Sequence, residues 1–322
     1  MKKRLSVFIP ALLMLMLVHA QQKAQKFVQE TQYLLYLPDA YNNDTTMKWP
    51  LVLFLHGSGE AGVDIEKIKV HGPPKLIEAG KKFPFIVVSP QAPPNTGWQS
   101  EVIKGLLDDV KKKYRVDNDR VYLTGLSMGG FGTWDLAEKY PNEFAAIVPI
   151  CGGGDTSKVW KLRHTPVWCF HGALDNVVPI ASSQRMVDAL KPYNANVKFT
   201  VYPTANHNSW EVTYNNDSVY TWMLSQKKFV QKAVAVDQKL LKEYTGTYVN
   251  NRNDTLVLNL EDAKLIAMPG HNQRIELKAS SPNTFFWDER SIDEATIIRN
   301  KKNAVVGLIV YGGEKDELRK IK

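Results

Sequence analysis

The residues best placed to do chemistry in this chain lie in Gly125-Leu126-Ser127-Met128-Gly129-Gly130, directly after the apolar run Val121–Thr124 and before a stretch with helical character. Glycines at 125 and 129 let the backbone turn sharply and pack closely, so the Ser127 hydroxyl projects above the strand that leads into it. A Gly-rich turn holding an ordinary Ser is common, and it is the strand before and the helix after that single this one out. A serine hydroxyl is a weak nucleophile near neutral pH and needs a base against it, with that base held by an acid. On a strand, tight turn and helix of this kind the partners follow in the order serine, acid, histidine. Asp175 ends the run His171-Gly172-Ala173-Leu174-Asp175, and His207 ends Tyr202-Pro203-Thr204-Ala205-Asn206-His207, each just beyond an apolar segment. The expected constellation is Ser127 as nucleophile, His207 as base and Asp175 as the acid that orients it.

Rivals exist for each partner. Asp155 follows the preceding apolar run, one unit too early, and an Asp-Asn pair such as Asp175-Asn176 is also at home in a turn. His56, His71, His164 and His171 compete with His207, but His56 and His171 each precede Gly at the end of an apolar run and suit packing or turns. An oxyanion needs preorganised donors, one from the residue after the nucleophile and one from an early strand-to-helix loop. Met128 is the first by position, and Ser58 in His56-Gly57-Ser58-Gly59-Glu60 is the choice for the second.

The elements that must position these residues alternate between Tyr33 and about Trp222. Short β-rich runs are expected at Tyr33–Leu37, Leu51–His56, Phe85–Pro90, Val121–Thr124, Ala145–Cys151, Val167–Phe170 and Val197–Tyr202. Helical stretches are expected near Val102–Lys113, Gly129–Lys139, Ala181–Leu190 and Trp210–Leu224. That alternation predicts an α/β fold with a mostly parallel sheet flanked by helices, and the nearly continuous apolar strands suit a sheet covered on both faces. Asp175 and His207 then fall at the carboxyl ends of strands, where open parallel sheets bind ligands. Beyond Lys227 the period changes to two, as in Thr255–Leu260, Gln273–Leu277 and Ala304–Val310, with polar turns between. The tail therefore reads as a small antiparallel all-β domain.

The domain division expected is a signal peptide at 1–20, a catalytic domain at 21–235 and the β domain at 236–322. Residues 1–20 run from Lys2-Lys3-Arg4 through an apolar stretch to His19-Ala20, the order of a secretory signal. The apolar stretch is shorter than the roughly 20 residues a spanning helix needs, so export without a stable membrane anchor is expected, to the periplasm or the medium. The chain carries a formal net charge of +8. Removing the three cationic residues of the signal leaves 8 − 3 = +5, with the remaining Lys and Arg scattered, and nucleic acid is not an expected partner. Cys151 and Cys169 sit within apolar runs and read as buried free thiols, although an exported protein could oxidise them. No His/Cys spacing suggests a metal, and no cofactor is expected.

Four blocks now stand together: Leu55-His56-Gly57-Ser58-Gly59-Glu60, Gly125-Leu126-Ser127-Met128-Gly129-Gly130, His171-Gly172-Ala173-Leu174-Asp175 and His207-Asn208-Ser209-Trp210. Over residues 30 to 226 they resemble the secreted phospholipase/carboxylesterase and carbohydrate-esterase branch of the α/β-hydrolases, which includes feruloyl and acetyl-xylan esterases and is close to the dienelactone hydrolases. The resemblance implies the α/β-hydrolase fold, hydrolysis of carboxylic esters, and the same triad and backbone donors. The tail from Tyr244-Thr245-Gly246-Thr247-Tyr248 is similar to small lipocalin-like β domains found after some exported serine hydrolases.

Only about fifteen residues, 152–166, separate two strands where many lipases insert a lid, so an open cleft for bulky or polymer-borne esters is expected. Trp98 and Trp160 are the candidate substrate-binding residues, able to stack on a sugar or phenolic ring, although either could simply pack a loop. Acetate or ferulate on plant polysaccharide would suit such a cleft. A serine peptidase of the prolyl-oligopeptidase kind would use the same triad but usually carries a propeller ahead of it. A non-catalytic glycan-binding relic has no need to keep Ser, Asp and His in three separate loops. For the tail, glycan binding, cleft covering, stabilisation and dimerisation all stay open, with Phe285, Phe286, Trp287 and Tyr311 as aromatics for a binding face or a core.

Overall fold

The computed structural model describes residues 30–270 and 273–322, and the expected signal segment lies outside them. The first lobe is built from β1 (Tyr33–Tyr36), β2 (Trp49–Leu55), α1 (Gly72–Glu78), β3 (Ile86–Pro90), α2 (Ser100–Lys113), β4 (Val116–Leu126) and α3 (Met128–Lys139). It continues through β5 (Ala146–Ile150), β6 (Val167–Gly172), α4 (Ala181–Leu190), β7 (Val197–Tyr202), α5 (Trp210–Tyr214) and α6 (Asp217–Ser225). The strands form one sheet in the order β1-β3-β2-β4-β5-β6-β7, with β1 antiparallel to β3 and the others parallel. This is the mixed parallel sheet with flanking helices of an α/β-hydrolase.

Strand β2 explains the layering. All seven of its residues are buried, because helices cover both faces and successive side chains point to opposite sides. Leu51, Leu53 and Leu55 join a core with Ile103 and Leu107 of α2, Trp134 of α3 and Met186 of α4. Val52 and Phe54 join the opposite core with Tyr214 of α5 and Tyr220 and Met223 of α6. In α2 the buried Ile103, Leu107 and Val110 recur at helical spacing, so one stripe faces the sheet. Each large apolar side chain so buried contributes about 1.5–3 kcal/mol.

Several boundaries differ from those expected. β4 starts five residues earlier, at Val116, since its polar opening pairs beside Trp49 across a register shift. The expected helix Trp210–Leu224 is two helices, broken where the Asn216 side chain accepts the Ser218 N–H and starts α6 afresh. Helix α1 was not expected, its Pro73-Pro74 pair sitting in the first turn where the missing N–H groups cost nothing.

After Ser225 a linker leads to α7 (Gln238–Tyr244) and eight strands: β8 (Gly246–Val249), β9 (Thr255–Glu261), β10 (Lys264–Pro269), β11 (Ile275–Ser281), β12 (Thr284–Phe286), β13 (Glu294–Arg299), β14 (Val305–Tyr311) and β15 (Lys315–Lys320). Each pairs antiparallel with the next, and Arg319 opposite Val249 closes the last strand on the first, giving a closed barrel without free edges.

The barrel rests on the lobe through a buried polar contact. Arg163 Nε lies 2.7 Å from Glu294 Oε1, its Nη2 donates to the Ile292 carbonyl, and His164 Nε2 is 3.2 Å from Glu294 Oε2. Asn142 accepts the Ile292 N–H at 2.9 Å and Lys315 reaches Tyr193 at 3.0 Å. Asn142, Arg163 and Tyr193 precede β5, β6 and β7, so the barrel docks at the amino ends of the strands.

Candidate active site

Ser127, Asp175 and His207 follow the carboxyl ends of β4, β6 and β7 and come together there. His207 Nε2 lies 2.9 Å from Ser127 Oγ and His207 Nδ1 lies 2.8 Å from Asp175 Oδ2. Ser127 adopts φ 52°, the left-handed region that a side chain enters only when its surroundings enforce it. The enforcing contacts are backbone: a Cβ at Gly129 would stand 2.0 Å from the Leu55 carbonyl, and one at Gly125 2.3 Å from the Gly129 carbonyl. Only glycine allows the start of α3 to press this closely on β2 and β4.

The Asp175 side chain is fully buried. Burial raises its carboxyl, but the hydrogen bond from His207 and the N–H groups of Val178 and Val177 outweigh that and hold it below the usual carboxylate range. Both N–H groups meet Oδ1 at 2.9 Å, which leaves Oδ2 aimed at the imidazole. The remaining ring nitrogen of His207 then faces the Ser127 hydroxyl. The arrangement can take a proton from that hydroxyl as its oxygen attacks an acyl carbon and can stabilise the imidazolium that results.

Met128 is the first residue of α3, and Ser58 is the first residue of the short 3₁₀ turn Ser58–Glu60. At such positions the backbone N–H has no partner within its own helix. The Ser58 loop abuts the elbow, since a Cβ at Gly57 would be 2.8 Å from Leu126 Cδ1. Glu60 fastens the loop by accepting the Gly57 N–H at 2.8 Å, and Gln91 donates to the Glu60 carbonyl at 2.9 Å. Glu60 was not singled out from the sequence, although its spacing from Gly57 is that of a capping box.

The rival residues have other tasks. His56 is buried, and burial pushes its imidazole down to about 4. Its Nε2 accepts the Ala92 N–H at 3.0 Å while Nδ1 donates to the Gly57 carbonyl, so it is a neutral strut beneath the loop. His171 bonds Ser183 and the Val178 carbonyl behind Asp175, His71 pairs with Glu211, and His164 stacks on Phe229. Asp155 caps the Ser157 N–H at 3.0 Å and pairs with Lys158.

The two tryptophans divide. Trp98 is half-buried, donates its indole N–H to the His56 carbonyl at 3.1 Å, and packs where a Cβ at Gly132 of α3 would stand. It braces the strand end that leads into the Ser58 loop. Trp160 is only 6% exposed and lies against Tyr311 of the barrel, 5.7 Å between ring centroids. The expectation that it lines a cleft is corrected: the 152–166 segment runs back to the amino edge of the sheet and buries the indole between the lobes. Exposed apolar side chains flank the triad instead. Phe131 lies one turn beyond Ser127 in α3, and Leu174 and Val177 bracket Asp175.

Cys151 and Cys169 are free and buried, and burial pushes each thiol up to about 12. Ligand atoms of Cys151, Asp175 and His207 lie within 4.8 Å of one another, but the carboxylate and imidazole are hydrogen-bonded to each other and the thiol stays protonated. Among the described residues no helix is long and apolar enough to cross a membrane.

Residues 95–234 match the model of the dienelactone hydrolase family. A bifunctional acetylxylan esterase/xylanase of Neocallimastix patriciarum is 28% identical over 184 residues, 54% of this chain and 26% of that protein. A poly(3-hydroxyalkanoate) depolymerase C of Paucimonas lemoignei is 47% identical over 51 residues, 16% of this chain and 12% of that one. The chain thus spans about a quarter or less of these relatives. A thermostable esterase of known structure superposes with a TM-score of 0.53 at 33% identity, covering 61% of this chain and 59% of that one. Residues 95–234 are thus similar to the dienelactone hydrolase family, within an α/β-hydrolase lobe that an eight-stranded antiparallel barrel follows.

Proposed function

We propose that this chain is an exported serine esterase that hydrolyses carboxylic esters through an acyl-enzyme. The observation that carries the reading is the unbroken hydrogen-bonded line Ser127, His207, Asp175 on a strained strand-to-helix turn. Ser127 Oγ attacks the ester carbonyl while His207 Nε2 takes its proton. The backbone N–H groups of Met128 and Ser58 receive the oxyanion, and His207 returns the proton to the departing alcohol. Water then attacks the acyl-enzyme, with His207 as base again, and releases the acid and Ser127. Asp175 stays ionised and holds Nδ1–H throughout.

The substrate class we favour is an acyl group, acetate or ferulate, carried on polysaccharide. The printed name of the Neocallimastix relative supports it, as do the exposed Phe131, Leu174 and Val177, which offer apolar surface to an aromatic acyl group. Residues 1–20 direct export, 21–235 form the catalytic unit and 236–322 the β domain. Acetylated xylan, feruloylated arabinoxylan and short aryl esters assayed side by side test the substrate class. Release of acid from at least one polysaccharide is expected. Cleavage of aryl esters alone contradicts the polysaccharide assignment, and cleavage of peptide substrates in preference to all of them contradicts the esterase reading.

A further inference from the structure

Two loops that are not neighbours in the sheet carry two halves of the proposed machinery. The Ser58 loop follows β2 and offers its N–H to the oxyanion, His207 follows β7, and β4, β5 and β6 stand between those strands. Attack by Ser127 needs both at one spacing, and a misplacement of about 1 Å can cost a hundredfold in rate.

His71 spans the gap. It lies in the turn that starts α1, and its side chain is 29% exposed, so core burial does not account for its placement. On one side Nε2 is 3.9 Å from Glu60 Oε1, an ion-pair distance, while Glu60 Oε2 accepts the Gly57 N–H at 2.8 Å next to Ser58. On the other side Nδ1 is 2.9 Å from Glu211 Oε1, and Lys75 takes Glu211 Oε2 at 2.7 Å. Burial raises the Glu211 carboxyl, but the bonds from Lys75 and His71 more than reverse this. Glu211 is therefore an ionised acceptor and Nδ1 carries a proton. The Trp210 indole nitrogen, 3.3 Å from Nδ1, is then a packing contact, with the two rings 5.3 Å apart. Trp210 in turn stands edge-on to His207 at 5.1 Å between centroids. The turn itself is fixed: Gly72, at φ 63°, presses on Phe54 of β2, where a Cβ would stand 2.5 Å from the ring. Phe54 packs edge-on against Tyr214 of α5 at 5.7 Å.

We propose that His71 is a positioning residue for ester hydrolysis: it ties the oxyanion loop, through Glu60, to the Trp210–Glu211 start of α5, so that the Ser58 N–H and His207 keep one spacing across Ser127. The inference rests on the reading of Ser127 as nucleophile and adds to it a residue that touches none of the reacting atoms.

The test compares the full chain with His71→Ala and His71→Asn, each checked for folding by circular dichroism, on 4-nitrophenyl acetate. Asn places an N–H where Nδ1 stands and keeps the bond to Glu211, but it has no arm toward Glu60. Both variants should lose about 10- to 100-fold in kcat, short of the 10²–10³ that removal of a whole donor costs. KM should change by less than about threefold, because the loss falls on the transition state. Inhibition by 2,2,2-trifluoroacetophenone supplies a second readout. Ser127 Oγ adds to its carbonyl carbon, the carbonyl electron pair moves to the oxygen at the oxyanion site, and the hydroxyl proton passes to His207. Its inhibition constant should rise in proportion to the fall in kcat/KM. Because His71 acts on the loop through Glu60, His71→Asn combined with Glu60→Gln should cost no more than about twofold beyond the larger single loss. A folded His71→Asn with kcat within about threefold of the parent, or a loss confined to KM, overturns the inference alone. Losses that multiply in the double variant overturn it equally. Hydrolysis that survives Ser127→Ala overturns the esterase reading and this inference with it.

Discussion

Replacing Glu294 by Gln changes one charge at the seam between barrel and hydrolase lobe while nearly conserving shape. Glu294 is 6% exposed and Arg163 7%, and the pair is supplemented by His164 at 3.2 Å and Gln231 at 3.3 Å. Burial alone raises the Glu294 carboxyl, but the hydrogen bond from His164 and the charge and hydrogen bond of Arg163 more than reverse this, taking it down to about 2 from 4.5. A fall of that size corresponds to about 3 kcal/mol of folded-state stabilisation at neutral pH, of the same order as the 3–5 kcal/mol lost when one member of a buried pair is removed. The sign follows from a depressed carboxylate: the contribution is present above the unfolded value of 4.5 and disappears as pH falls toward 2. Chemical denaturation followed by tryptophan fluorescence should therefore show Glu294→Gln less stable than the parent by about 3 kcal/mol at pH 7, the two converging as pH approaches 2. A difference that is negligible at pH 7, or equally large at pH 7 and near pH 2, refutes the assignment of this pair as the fastening of the barrel.

Glu138 carries the opposite signature. It is 2% exposed, and burial followed by the nearby Asp155 charge raises its carboxyl to about 8, so its contribution falls as pH rises from the ordinary carboxylate range through 8. Glu138→Gln should accordingly gain a few kcal/mol relative to the parent at pH 8 and little at pH 4.5, read by thermal melts at both values; a gain of equal size at both pH values contradicts the burial argument. Asp175→Asn leaves the loop in place but removes the acceptor that fixes the His207 tautomer, and kcat for an aryl ester should fall by about 10⁴-fold with KM little changed. A loss below about tenfold contradicts the role given to Asp175. Hydrolysis should persist in EDTA, since no step is routed through a metal, and loss of activity reversed by added metal contradicts that.

The grouping of Ser127, Asp175 and His207 was legible because its signals are local and strongly constrained. Gly125 and Gly129 mark a backbone contact that no other residue tolerates, and the strand and helix around them are long and apolar. Asp175 and His207 could be placed because β6 and β7 are clear runs whose carboxyl ends must share one edge. Less legible was anything decided by contacts distant in the chain. Barrel closure rests on Arg319 and Lys320 pairing with Val249 and Tyr248, across a separation that period-two alternation does not encode. The course of the 152–166 segment depends on where Arg163 finds Glu294, 131 residues later, so Trp160 could not be assigned to a cleft or a seam from its neighbours. Of the tail aromatics, Phe285 and Phe286 are buried at 1% and 0%, and Trp287 lines the lumen, because alternation states that faces differ without saying which is inward. Helix α1 escaped because Pro73-Pro74 reads as a break until its place in the first turn is known.

The central claim is that Ser127 is the nucleophile, and the most direct measurement is covalent labelling by a fluorophosphonate, with the modified residue located by mass spectrometry, alongside aryl ester hydrolysis by the parent and by Ser127→Ala. The account predicts a single label on Ser127, matching loss of hydrolysis, and neither label nor appreciable hydrolysis in the variant. Hydrolysis that survives Ser127→Ala, or a label on another residue that tracks the loss of activity, would contradict it.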